Sequence, residues 1–178
     1  VLFMSGCSSD QRQERQAHFK QWIQNNGKVK VLNTTAMIDD LVKQIGGEHV
    51  DTITLIQGDL DPHSYQLVKG DDEKLAFAQL IFYSGLGLEH GPSLHHYLVQ
   101  NPKALSLGDK IEQQQPKLVI YVNGQKDPHI WMDISLWAKT IPFIVEALSK
   151  QDPAHAADYQ ANGQKLQTEM EEAHQQVK

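Results

Sequence analysis

The sequence predicts an α/β fold in which a parallel sheet of about four strands is covered by helices on both faces. Short apolar runs alternate with amphipathic helical segments along the chain, and the first run, residues 29–32, is rich in β-branched residues. Such alternation requires crossover connections, which are right-handed and bury parallel strands between helices. The 178 residues are enough for one domain with a hydrophobic core and too few for two.

The predicted elements follow one another in a regular order. Thr35 is a suitable N-cap for a first helix, and Gly46 with Gly47 ends that helix. Pro92 fits the first turn of a later helix, because its missing N–H has no helical partner there. Further strands or extended segments are predicted at residues 50–56, 80–83, 104–107 and 118–122.

Two helical segments are predicted in the last third of the chain. The first runs from Asp133 to Leu148 and bends at Pro142, whose ring clashes with the preceding turn. The second begins after Pro153 and keeps one apolar face through Lys178. At about 1.5 Å per residue it is roughly 39 Å long, more than one small lobe covers, so we expect the start of a long inter-lobe helix and a second lobe beyond it.

The amino-terminal segment is expected to be an anchor and a tether. Residues 1–7 end in small residues before Cys7 and resemble the end of a bacterial lipoprotein signal, which makes Cys7 a candidate for lipid attachment. An ordinary buried cysteine is the alternative. The predicted organisation is a leader remnant and tether over 1–27, an amino-terminal lobe over 28–152 and a truncated connecting helix over 153–178.

Charge and hydropathy exclude several classes of partner. The formal net charge is −6 and the basic residues form no stripe, which argues against nucleic acid. No run approaches the roughly 18 apolar residues that a membrane-spanning helix needs. Membrane attachment, if present, is therefore expected through lipid alone.

Two short segments repeat the order Asp-Pro-His. They are Asp61-Pro62-His63 and Asp127-Pro128-His129, each of which follows a predicted extended segment. Proline fixes its own φ and restricts the preceding residue, so each imidazole is carried on a stiff turn. Imidazole binds first-row transition metals, and ligands bind at the carboxyl ends of strands in such sheets. His63 and His129 are therefore the candidate metal ligands.

The chain resembles the cluster A-I metal-binding components of ABC importers, a family of zinc, manganese and iron carriers. The resemblance extends from about Lys28 to the end of the chain. The matching segments are Thr34-Thr35, Gly46-Gly47, residues 61–65, residues 85–89, residues 127–133 and Asp152-Pro153 leading to Tyr159.

This resemblance implies an extracytoplasmic carrier and no enzyme activity. His63 and His129 would bind a manganese, iron or zinc ion, and a second lobe would supply the remaining ligands. With one lobe alone the ion is expected to be held weakly or to be absent. The implied partner is an ABC permease in the inner membrane, and the implied location is the periplasm or the outer face of the bacterial membrane. A monomer is expected.

Two functions other than a carrier are alternatives for this chain. Two histidines on strand-end loops also suit a catalytic zinc, although no His-Glu-x-x-His helix or Gly-x-Ser-x-Gly turn accompanies them. A lipid-anchored surface adhesin is the other alternative.

His90, His95 and His96 form a second histidine cluster. These side chains are expected to be exposed, on a loop and on a helix surface.

Overall fold

A computed structural model describes the backbone of residues 7–177 and the side chains of residues 10–177. Four parallel strands form its centre. They are β1 (Val29–Asn33), β2 (Val50–Thr54), β3 (Leu80–Tyr83) and β4 (Ala104–Ser106). Their order in the sheet is β2-β1-β3-β4, so the predicted parallel sheet of about four strands is confirmed.

Eight α-helices lie in the described part of the chain. They are α1 (Cys7–Trp22), α2 (Ala36–Gly46), α3 (Asp71–Phe77), α4 (Pro92–Gln100), α5 (Leu107–Gln114), α6 (Ile134–Ala138), α7 (Ile141–Gln151) and α8 (Ala156–Val177). No helix among residues 7–177 combines the length and the apolar character needed to cross a bilayer.

Helices cover both faces of the sheet, as predicted. Successive side chains of a strand point to opposite faces, so Val31 enters one apolar core and Leu32 enters the other. The first core contains residues of α2, α5, α6, α7 and α8. The second contains residues of α3, α4 and the end of α1.

The segment expected to be a tether is largely helical, and its end packs against the lobe. Trp22, the last residue of α1, is only 2% exposed and belongs to the second core. Its indole Nε1–H donates to the carbonyl oxygen of Asp51 on the edge strand β2, at 3.0 Å. Its ring also meets Phe77 of α3 edge to face, with centroids 5.3 Å apart. Packing thus begins before the predicted start of the lobe at residue 28.

The prediction of a single bent helix from Asp133 to Leu148 is wrong. The structure has two helices, α6 and α7, and Pro142 lies in the first turn of α7. Proline is tolerated there because the first-turn N–H groups have no helical partner, so the chain restarts a helix instead of bending one.

The extended segment predicted at 118–122 lies outside the parallel sheet. Its end, β5 (Tyr121–Val122), pairs antiparallel with β6 (Gln125–Lys126) in a separate hairpin. The turn residues Asn123 and Gly124 have φ values of 51° and 78°. An Asn-Gly pair adopts such positive φ values readily, which favours a two-residue hairpin over a crossover to the sheet.

The long carboxy-terminal helix is confirmed. α8 has 22 residues, which corresponds to about 33 Å, and it packs on α2, α6 and α7. The contact with α7 is close at Gly163, where an added Cβ would lie 2.5 Å from a methyl carbon of Val145. A larger side chain at residue 163 would therefore push the two helices apart.

Candidate metal centre

The side chains of His63 and His129 meet at the carboxyl edge of the sheet. His63 lies in the loop that follows β2, and His129 lies just after the β5–β6 hairpin. Although 66 positions separate them in the chain, their Nε2 atoms are 3.2 Å apart. The ring centroids are 5.2 Å apart and the ring planes are tilted by 54°.

This separation suits two ligands of one metal ion. Nitrogen ligands about 2.1 Å from one ion lie about 3.4 Å apart in tetrahedral geometry and about 3.0 Å apart in octahedral geometry. The observed Nε2–Nε2 distance falls between these values. The two imidazoles are therefore arranged to share an ion of ordinary first-row size.

Asp127 orients the His129 ring. One carboxylate oxygen accepts hydrogen bonds from the backbone N–H of His129 at 3.0 Å and from its ring Nδ1 at 2.6 Å. Because a carboxylate only accepts, Nδ1 carries the proton and Nε2 presents its lone pair. These bonds, the backbone bond first, hold the pKa of Asp127 below its ordinary value. The carboxylate thus stays ionised and keeps the ring in its ligand tautomer.

Asp61 fixes the backbone turn that carries His63. Its carboxylate accepts the backbone N–H of His63 at 3.0 Å and the hydroxyl of Ser64 at 3.0 Å. The backbone bond is the main reason that the pKa of Asp61 lies below its ordinary value. Further along the same loop, the hydroxyl of buried Tyr65 donates to Asp71 at 2.6 Å. The loop is therefore anchored on both sides of His63.

Trp131 forms one wall beside the two histidines. Its ring meets the His129 ring nearly edge to face, with centroids 5.3 Å apart. Both histidines are half-buried, so solvent still reaches the pair. Trp131 is thus a wall of the site.

A buried carboxylate organises the neighbouring loop after β3. Glu89 is 2% exposed and accepts hydrogen bonds from the hydroxyl of Thr34 and from the backbone N–H groups of Ser84 and Gly85. Burial is the larger effect and raises the pKa of Glu89, while these hydrogen bonds oppose it. Glu89 therefore ties the end of β1 to the loop that leads into α4.

His90, the residue after Glu89, lies beside the pair. Its ring centroid is 5.5 Å from that of His63, almost as near as the ring of His129. Sequence reasoning grouped His90 with His95 and His96 and missed this contact, since the approach depends on two loops that are remote in sequence. The predicted exposure of all three histidines is confirmed.

The described side chains do not by themselves complete a metal site. Among residues 10–177 no three His, Cys, Asp or Glu side chains are arranged to hold one ion together. The candidate lipidation site, Cys7, has its side chain outside the described residues, as does the rest of the lipoprotein-like segment.

Comparison with known proteins identifies the family. Residues 31–178 match the family model described as ZnuA, zinc-uptake complex component A, periplasmic. The chain belongs to this family.

Curated relatives of the chain are named as metal-binding proteins. The metal-binding protein YtgA of Chlamydia trachomatis is 42% identical over 144 residues, which are 81% of this chain and 44% of that protein. The manganese-binding lipoprotein MntA of Bacillus subtilis is 30% identical over 146 residues, which are 81% of this chain and 47% of the relative. The chain thus spans about half the length of the curated relatives it matches.

Solved ZnuA-type structures share the fold. The Fe(III)-bound structure of YtgA from Chlamydia trachomatis superposes with a TM-score of 0.79 and 40% identity, covering 83% of this chain and 52% of that one. The periplasmic zinc-binding protein TroA from Treponema pallidum gives a TM-score of 0.76 and 29% identity, covering 85% and 54%. The α/β lobe described above therefore has the same fold as about half of each of these two structures.

Proposed function

We propose that this chain is the amino-terminal, metal-gripping lobe of an extracytoplasmic solute-binding protein, which captures a transition-metal ion and delivers it to an ABC permease. The observation that carries the proposal is the 3.2 Å separation of the His63 and His129 Nε2 atoms at the carboxyl edge of the sheet. Membership of the ZnuA family supports it. In this proposal α8 is the connecting helix, and a second lobe completes the ligand sphere.

The ion proposed as cargo is manganese, iron or zinc. Imidazole binds zinc and iron well and accepts manganese when carboxylates share the sphere. Relatives are named for manganese and zinc, and one solved structure holds Fe(III). Two imidazoles alone leave half or more of the coordination sphere to water, so this lobe is expected to bind its ion weakly.

The proposed location is the periplasm or the outer face of the bacterial membrane. A relative named as a lipoprotein and a family described as periplasmic support this location. Cys7 would carry the lipid, and the protein would meet the permease as a monomer. Mass spectrometry of the membrane-extracted protein tests the anchor: a diacylglyceryl adduct on Cys7 is expected.

Titration calorimetry with zinc and manganese tests the proposed ligands. His63→Ala and His129→Ala should each abolish measurable binding, because a single imidazole chelates poorly. His95→Ala is the matched control, since this histidine is exposed on α4 and should leave affinity unchanged. Wild-type affinity in both site variants would exclude these residues from the site.

We further propose that the site binds and releases its ion without chemical turnover. An open zinc position can also serve a hydrolase, so the two functions need separate assays. Generic ester and phosphate substrates should show no zinc-dependent hydrolysis by the wild-type chain at concentrations where zinc binds stoichiometrically. Hydrolysis that His63→Ala removes would instead favour the enzyme.

A further inference from the structure

The two histidines of the candidate site are held in different ways. The ring of His129 is fixed by Asp127, which accepts a hydrogen bond from its Nδ1. Within residues 10–177 the ring of His63 has no hydrogen-bond partner other than the His129 ring. The position of the His63 imidazole therefore depends on the backbone of the loop that carries it, which connects the end of β2 to the start of α3.

This His63 loop supplies the cap of a helix in another part of the chain. α4 begins after Gly91, which has no side chain to accept the free N–H groups of the first turn. The side chain of Gln66 takes this role, since its Oε1 accepts the backbone N–H of Ser93 at 2.9 Å and also the Ser93 hydroxyl. The Ser93 hydroxyl oxygen in turn accepts the backbone N–H of Leu67 at 2.9 Å. Three hydrogen bonds thus join the His63 loop to the first turn of α4.

The backbones of the two segments are also in close contact at this place. A Cβ added at Gly91 would lie 2.0 Å from the carbonyl oxygen of Tyr65, so a residue with a side chain does not fit there unless one segment moves. α4 itself is fixed in the lobe, because Leu94 and Leu98 are 0% and 2% exposed and belong to the second core. The helix is therefore a firm support for the loop residues that follow His63.

We propose that Gln66 and Ser93 are positioning residues of the metal site, which hold the His63 loop against α4 so that the two Nε2 atoms are 3.2 Å apart before an ion binds. The inference rests on the proposed function, because it needs the His63–His129 pair to bind an ion. Neither positioning residue is a ligand. A ligand pair that is already held in its binding geometry loses less conformational entropy on binding, so it binds more tightly. Loss of these contacts should lower affinity while both imidazoles remain.

Zinc affinity, measured by competition with a chromophoric chelator, tests this role in the full chain. Ser93→Ala and Gln66→Ala should each bind zinc about tenfold more weakly, the lower end of the loss expected when a group that supports a metal ligand is removed. Both side chains are exposed, so the variants are expected to fold. Ser93→Thr keeps the hydroxyl and should match the wild type. Asn101→Ala is the control, because it removes a similar hydrogen bond, from the backbone N–H of Lys103, at the other end of α4.

Hydrogen exchange of the metal-free chain gives a second readout that does not depend on zinc. The amide of Leu67 should exchange faster in Ser93→Ala and at the wild-type rate in Asn101→Ala, because only the first variant removes its acceptor. Wild-type zinc affinity in both Ser93→Ala and Gln66→Ala would overturn the positioning role. An equal loss of affinity in Asn101→Ala would also overturn it, since that result would indicate a general loss of stability.

His63→Ala and His129→Ala, measured in the same assay, separate this inference from the proposed function. Zinc binding that is lost in these two variants but unchanged in Ser93→Ala and Gln66→Ala would overturn the positioning role alone. Zinc binding that is unchanged in all four variants would overturn both the positioning role and the proposed function.

Discussion

At the scale of single residues, the site depends on carboxylates that each set the geometry of one histidine. Asp127 holds both the backbone and the ring of His129, whereas Asp61 holds only the backbone of His63 in the described contacts. The shorter contact, 2.6 Å from His129 Nδ1 to Asp127, is a charge-assisted bond that favours one tautomer. His129 is therefore expected to be the more rigid of the two ligands.

Replacing Asp127 with asparagine should weaken zinc binding by about 10- to 100-fold. The amide removes the charge that favours a proton on Nδ1. The proton then lies on Nε2 in more of the molecules, where it blocks the lone pair that would bind the ion. Calorimetry at neutral pH measures the effect. Asp152→Asn is the matched control, because Asp152 also bonds a histidine Nδ1, that of His155, but lies outside the site. Equal losses in the two variants would contradict a specific role for Asp127.

At the scale of elements, the start of α8 is attached to the lobe by a polar cluster away from the metal site. The rings of His49 and His155 stack with centroids 3.7 Å apart and planes inclined by 15°. His49 lies 2.8 Å from the carboxylate of Asp158, and the hydroxyl of Tyr159 donates to Asp152 at 2.6 Å. This cluster joins the residue before β2 to the first turn of the long helix, so it fixes where α8 starts on the lobe.

Tyr159→Phe should lower the free energy of unfolding by roughly 1.5 to 3 kcal/mol at neutral pH, because it removes a hydrogen bond to a carboxylate. Partial burial acts to raise the pKa of Asp152, but the bonds from Tyr159 and His155 outweigh it and the pKa lies below the ordinary value. The stabilisation is therefore full above pH about 3.9, the ordinary aspartate value, and is lost as the pH falls through the lower folded-state pKa.

Urea unfolding at several pH values between neutral and acid checks this prediction. The difference in the free energy of unfolding between wild type and Tyr159→Phe should become smaller at acid pH. Tyr121→Phe serves as the control, since this exposed hydroxyl is 3.5 Å from Glu112 and should contribute little at any pH. A difference that grows on acidification would refute the assigned role of Asp152.

At the scale of the whole molecule, the packed lobe includes the carboxy-terminal end of α1. Trp22 joins the second core, contacts α3 and satisfies a carbonyl of the edge strand β2. Edge strands expose unpaired backbone groups, so a helix end packed beside one also protects it from pairing with other chains.

Trp22→Ala should lower the free energy of unfolding by about 3 to 5 kcal/mol, the usual cost of removing a large buried aromatic side chain. A tether that moved independently would give no such loss. Urea denaturation followed by circular dichroism decides between them. Val99→Ala, at an exposed position of α4, is the control and should stay within about 0.5 kcal/mol of the wild type.

Metal binding should also stabilise the whole lobe. Zinc at about 100 times its dissociation constant should add about 2.7 kcal/mol to the free energy of unfolding, because the ion binds the folded chain. The double variant His63→Ala/His129→Ala should lose this gain in thermal denaturation, whereas His95→Ala/His96→Ala should keep it. A zinc effect that persisted without His63 and His129 would point to a different site.

Much of the fold and the identity of the two candidate ligands, His63 and His129, follow from local sequence patterns. The strand at residues 80–83 and the helix that starts at Pro92 were predicted at their observed positions, since apolar period and turn chemistry act over a few residues. Pro142 misled the prediction because a proline has the same local signature at a bend and at a first turn. Which of the two occurs depends on how α6 and α7 pack on the core.

The sequence alone determined the parallel α/β lobe, the long last helix and the two Asp-Pro-His turns. All three follow from local patterns, namely the apolar period of each segment and its turn residues. Only the tertiary structure decided that His63 and His129 meet at 3.2 Å, that His90 lies beside them and that Trp22 packs into the lobe. These contacts join segments that are distant in the chain. The distances between these side chains depend on how the connecting segments pack. The close approach of the Gly91 backbone to the carbonyl oxygen of Tyr65 is one example, and no local sequence pattern predicts it.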